Sequence, residues 1–83
     1  MDYSYKTKGT CSVQINFSID GDGKLHDVVF LGGCNGNLKG IGKLVEGEDA
    51  KAVAEKIEGT TCGPKPTSCP DQLAKAIRSA LEN

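Results

Sequence analysis

Residues 11–34 read CSVQINFSIDGDGKLHDVVFLGGC, and this stretch decides the architecture. Val13, Ile15, Phe17 and Ile19 alternate with Ser12, Gln14, Asn16 and Ser18, the two-residue period of a half-buried strand. DGDGK at 20–24 is a tight reversal rich in Gly and Asp. LHDVVFLGG at 25–33 then resumes as strand with a less regular alternation. The pair forms an antiparallel hairpin with one apolar face. A hairpin is marginal by itself and must be covered.

The cover comes from the second half of the chain, where the period becomes helical. NLKGIGKLVEG at 37–47 puts Leu38, Ile41 and Val45 on one stripe, with Gly47 at the position of a helix C-cap. EDAKAVAEKIEG at 48–59 aligns Ala50, Val53, Ala54 and Ile57 and stops at Gly59. PDQLAKAIRSAL at 70–81 aligns Leu73, Ile77 and Leu81 beside Ala74. The expected fold class is α+β: an antiparallel hairpin, with a further short strand near residues 3–8 available for its edge, covered by three short helices. Residues 1–83 are expected to form a single domain. Gly40 and Gly42 are read as permitting close packing of the first helix.

Composition narrows the function. The net charge of −1 and the lack of a long basic run give no electrostatic basis for DNA or RNA binding or for attachment to an anionic membrane. No segment has the length of a membrane span, and MDYSYKTKGT at the start lacks the apolar run of a signal peptide, so a cytoplasmic location is expected. With no Trp, two Phe and two Tyr, few large rings are available to fill a core. A chain this short then calls for a staple: a metal, a disulfide or a partner.

Four cysteines, Cys11, Cys34, Cys62 and Cys69, are the candidate staple. In a reducing compartment they favour metal binding or redox chemistry over structural disulfides. No C-x-x-C pair occurs and His26 is the single histidine, so no local zinc pattern is present. All four instead fall at the ends of expected elements. The start of the first hairpin strand and the end of the second are neighbours, which brings Cys11 and Cys34 to one end of the sheet. Cys62 and Cys69 join them only if the last helix begins at that same end. A shared metal site, a redox or disulfide pair, and separate packing thiols all remain open at this point.

Local chemistry favours charged thiols. In SCPDQ, Ser68 is placed to cap the helix with Asp71 three residues on, or Cys69 itself caps it with Pro70 in the first turn. Either arrangement sets the sulfur beside unpaired helix amides, which favour thiolate. Cys34 sits in GGCNGN, a glycine-rich bend whose amides can turn toward an anion. GGCNGNLKGIGK is not a P-loop: no Gly stands five residues before Gly42, and Leu44 occupies the hydroxyl position. It leaves open a small anion or nucleotide nest. His26 reads as a strand surface residue, the charges of 46–58 as a solvated helix face, and no serine, histidine and acid constellation suggests a hydrolase.

GTCS at 9–12, GGCNGNLKGI at 32–41 and CGPKPTSCPDQLAKAI at 62–77 closely resemble the small four-cysteine TSCPD-domain proteins. That resemblance implies an association with ribonucleotide reduction, because similar domains end adenosylcobalamin-dependent ribonucleotide reductases, and stand-alone members carry a ribonucleoside-diphosphate reductase label. A reductase needs a large barrel for its radical and nucleotide, which 83 residues do not provide. The cysteine order also looks, more loosely, like that of the U-type iron–sulfur cluster assembly scaffolds and their fold, with Cys11, Cys34 and Cys69 on the three cluster ligands. Here Ser12 and Val13 replace the scaffold's Gly-Asp, Ser68 replaces its His, and Cys62 is additional. Four thiols suit a closed structural site, so the expected cofactor is zinc, held by Cys11, Cys34, Cys62 and Cys69, ahead of an iron–sulfur cluster. The expected role is an accessory or regulatory module acting with a ribonucleotide reductase or other protein partner. A cluster scaffold or thiol redox protein is the alternative.

Overall fold

The computed structural model describes residues 1–9, 12–32, 35–61 and 63–82. Among them the elements are β1 (Asp2–Lys6), β2 (Ser12–Ile19), β3 (Leu25–Gly32), α1 (Asn35–Val45), α2 (Ala50–Ile57) and α3 (Cys69–Glu82). The fold is α+β. The strands form an antiparallel sheet in the order β1-β2-β3, with the additional edge strand at β1. No helix among the described residues is long and apolar enough to cross a membrane.

The helices cover one face of the sheet. Ile15, Phe17, Ile19, Leu25 and Val28 supply the sheet side of the core, and Val45, Val53, Ala54, Leu73, Ala76 and Ile77 supply the helical side. Tyr3 stacks on Phe17 with ring centroids 5.4 Å apart, extending the core to the edge strand. Ile15, Leu25, Leu73 and Ile77 are the largest fully buried side chains. Each contributes about 1.5–3 kcal/mol of burial.

Two irregularities break the alternation. Between Ser12 and Gln14 the β2–β3 register shifts by a residue, and Val13, expected inward with Ile15, is 64% exposed. An extra residue at a bulge turns its neighbour to the other face. A second shift falls between Asn16 and Ser18 and leaves the additional residue on β3, where Asp27 adopts φ 55°. That bulge resets the phase, so Leu25 and Val28 both point inward although three positions separate them. On α3, Leu81 was expected in the buried stripe but is 46% exposed. Ala80 holds the buried position in the last turn, and Leu81 stands about 100° further round the helix.

The connection between α1 and α2 closes the start of β3. Leu25 N–H donates to Glu48 O (2.8 Å), Gly47 N–H donates to Leu25 O (2.7 Å), and Lys24 bridges Asp49. Gly47 takes φ 76°, the left-handed geometry expected after the end of α1. Asp49 caps α2 by accepting from Ala52 N–H (2.9 Å). The charges of 46–58 are therefore only partly a solvated face: Glu46, Asp49 and Glu58 all hold specific partners.

The two α1 glycines differ. A Cβ on Gly42 would stand 2.7 Å from the Val28 carbonyl oxygen, whereas one on Gly40 would meet nothing within 4 Å. Close packing belongs to Gly42 alone. Gly42→Ala is expected to lower stability in urea denaturation by about 1–2 kcal/mol because backbone must move. Gly40→Ala is expected to raise it by about 0.5–1 kcal/mol through helix propensity.

Candidate functional site

Cys69 opens α3 and is 8% exposed. Cys11, Cys34 and Cys62 lie outside the described residues.

The start of α3 is built from buried polar groups. Thr67, Ser68, Asp71 and Gln72 are all buried, Asp71 at 5% exposure and Gln72 at 3%. Ser68 is the N-cap: its Oγ accepts from Asp71 N–H (3.2 Å), and its carbonyl accepts from Gln72 N–H (2.9 Å). Pro70 stands in the first turn, where a missing N–H costs no helical bond. The Asp71 carboxylate does not complete a capping box. It accepts instead from Gly59 N–H (2.7 Å) and from the Thr67 hydroxyl (2.5 Å), with Lys75 Nζ 3.4 Å away. The Thr67 hydroxyl first, then the Gly59 amide and Lys75, hold the Asp71 carboxyl below its ordinary range against the opposing effect of burial.

These bonds fix where the helix begins. Ser68 Oγ donates to Thr60 O (2.6 Å), joining the helix start to the chain leaving α2. Gln72 Nε2 donates to Thr67 Oγ1 (3.0 Å), and Gln72 Oε1 accepts from Lys8 N–H (3.1 Å) in the β1–β2 connection. Gly9, with φ 75°, lies so close that an added Cβ would be 3.1 Å from Thr67 Cγ2. At the same end Ser12 of β2 pairs with Gly32 of β3. Thus Gly9 and Ser12 flank Cys11, Gly32 precedes Cys34 by two positions, Thr60 precedes Cys62 by two, and Ser68 precedes Cys69. Residues within two or three positions of Cys11, Cys62 and Cys69 therefore meet at the α3 start, and those near Cys11 and Cys34 pair at one end of the sheet.

Of the two caps the sequence offers, Ser68 with Asp71 or Cys69 with Pro70, the structure has Ser68, and it adds Thr67 and Gln72, which the sequence does not single out. Gln72 stands one turn before Ala76 on a buried row of α3, whereas Thr67 precedes the helix and no local pattern marks it.

His26, expected as a plain surface residue, joins three segments. Nε2 pairs with Asp20 Oδ2 (2.7 Å), Nδ1 pairs with Glu46 Oε2 (2.6 Å), and Glu46 Oε1 accepts from Asp27 N–H (2.9 Å). Hydrogen bonding to Asp20, then to Glu46, raises the His26 pKa, while both carboxyls are lowered. Among the described residues no group of three or more His, Cys, Asp or Glu side chains has an arrangement able to hold a metal ion.

A small α+β domain whose last helix is locked to the sheet end by a buried Thr-Ser-x-x-Asp-Gln network is the class defined by this geometry. The family profile described as the TSCPD domain matches residues 2–81, and the chain belongs to that family. No curated protein and no solved structure matches the chain.

Two outcomes test the network and the histidine. Asp71→Ala strands the Gly59 amide and the Thr67 hydroxyl and is expected to cost about 2–4 kcal/mol in chemical denaturation. Because the folded Asp71 pKa is lowered, its contribution is full above about pH 4 and fades as pH falls through the folded value. The gap between wild type and Asp71→Asn should narrow accordingly. For His26 the folded pKa is raised, so its contribution is complete below about pH 6.5 and lost as pH rises through the folded value; Asp20 and Glu46 lose theirs toward acid. The Tm difference between wild type and His26→Gln should be largest at about pH 5–6.5, small in size, and reduced by salt.

Proposed function

We propose that this chain is a metal-stabilised accessory module in which the thiolates of Cys11, Cys34, Cys62 and Cys69 bind one zinc ion. The observation that carries the reading is the docking of the α3 start. Ser68 and Gln72 bond to Thr60 and Lys8, so Cys69 opens a helix fastened to the segments that run into Cys62 and Cys11. The paired Ser12 and Gly32 bring the segments flanking Cys11 and Cys34 to the same end. Four thiolates and no vacant ligand position suit a structural ion rather than a catalytic one. A metal would also supply the staple that a chain with so few aromatic residues needs. Tetrahedral sulfur ligation is compatible with iron–sulfur chemistry too, and zinc is preferred because four thiols close the site.

The role proposed for the module is to bind or regulate a protein partner in the cytoplasm. By family resemblance the partner class is a ribonucleotide reductase, and the module itself performs no reduction. Co-elution of the purified chain with a reductase on sizing would support this, and separate elution at micromolar concentrations would remove it.

Purification without chelator, followed by elemental analysis and native mass spectrometry, tests the metal. One zinc per chain is expected, and Cys69→Ser should lower zinc retention at least about tenfold under chelator challenge. Metal-free, fully reduced protein that remains stably folded would overturn the reading, and visible absorbance with iron would transfer the site to a cluster.

A further inference from the structure

A groove of about 480 Å³ runs between β3 and α1, within the size range of ligand clefts. Val28, Val29 and Phe30 form one wall and Leu38, Lys39 and Lys43 the other. The wall on β3 is a sheet edge, because the strand order ends there.

The register shows which backbone groups face the groove. Ile19 N–H donates to Met1 O and Val13 O accepts from Thr7 N–H, so the odd-numbered residues of β2 direct their backbone bonds toward β1. Ile15, one of them, is the partner of Phe30. In an antiparallel ladder a residue opposite such a partner turns its own N–H and C=O away from the pair. Leu25, opposite Ile19, behaves in this way and spends both groups on Gly47 and Glu48. Beyond it, α1 lies against the Val28 carbonyl at Gly42. Past that contact, the Phe30 N–H and C=O face outward, and among the described residues neither has a partner. An unpaired edge beside a helix is a template for strand addition.

The rim settles the chemistry of the occupant. Lys39 and Lys43 stand one helical turn apart and have no ion-pair partner among the described residues. Asp27 and Glu46 line the far end, where Glu46 is already engaged by His26 and by the Asp27 N–H. The floor, with Leu38 buried and Phe30 half-buried, is apolar.

We propose that this groove binds an extended peptide segment of a partner protein, alternating apolar and acidic residues, which adds to β3 through the Phe30 backbone. Its acidic side chains meet Lys39 and Lys43 and its apolar ones cover Leu38 and Phe30. This deepens the accessory-module reading by naming what it binds, and rests on that reading only for the role. Cys69, the proposed zinc ligand among the described residues, does not line the groove.

The test uses the full-length, isotope-labelled chain at low salt, with metal content measured on the same sample so that the two readings succeed or fail separately. The probe is an N-acetylated six-residue peptide alternating valine and glutamate, compared with its valine–lysine counterpart. The acidic peptide should shift the amides of residues 29–31 and 38–43 and slow hydrogen exchange at the Phe30 amide. The double variant Lys39→Glu, Lys43→Glu, exposed positions that leave the core intact, should weaken binding by about fivefold or more. Equal binding of the lysine peptide, shifts confined to β1, or unchanged Phe30 exchange would overturn the proposal. So would Phe30 protection in the free protein that grows with concentration, which would make a second copy the occupant.

Discussion

The buried carboxylate of Asp71 is the constraint on which the arrangement depends. It gathers a backbone amide from the chain leaving α2, a hydroxyl from the segment before α3, and a lysine from the next turn of α3. A charge at 5% exposure is tolerated only when such bonds compensate its lost hydration. The compensation is geometric, because it requires α3 to begin in one place. Gln72 and Ser68 extend the same demand to Lys8 and Thr60. The prolines and Gly63 of residues 62–67 shape the approach, and the network holds its end.

Around that anchor the apolar core is economical. Most of the helical contribution comes from alanines and a few aliphatic residues, with Leu73 and Ile77 fully covered. Specificity in so small a core comes from polar tethers at its margins: the Ser68 cap, the Asp49 cap, the His26 group, and Arg78 paired with Glu58 through Nε and Nη2, both at 2.9 Å. The last two are exposed and add little energy, but they connect segments far apart in sequence.

The hairpin and the three helices were legible because apolar periods of two and 3.6 residues are strong signals. Val13 and the phase of β3 were not, since a bulge leaves alternation apparently intact on one strand and broken on the other. The left-handed Asp27 in LHDVV marks that break only once the register is known. The asymmetry of Gly40 and Gly42 was hidden for a similar reason: only the approach of α1 to Val28 separates them. At the candidate site, Cys69 announced itself as chemistry, while Thr67 and Gln72 looked like ordinary loop and helix polar residues. Their burial depends on Lys8 and Gly9, more than fifty positions away in the chain, and no local pattern encodes that contact. The His26 group joins residues 20, 26 and 46 and is equally a product of topology.

In the proposed zinc site the locked start of α3 contributes Cys69 beside Cys11, Cys34 and Cys62. X-ray absorption at the zinc edge, on protein purified without chelator, reads the ligand set directly. Four sulfur neighbours at about 2.3 Å are expected, falling to three in Cys69→Ser. A first shell containing nitrogen or oxygen in the wild-type protein, or a sulfur count unchanged by Cys69→Ser, would contradict that site.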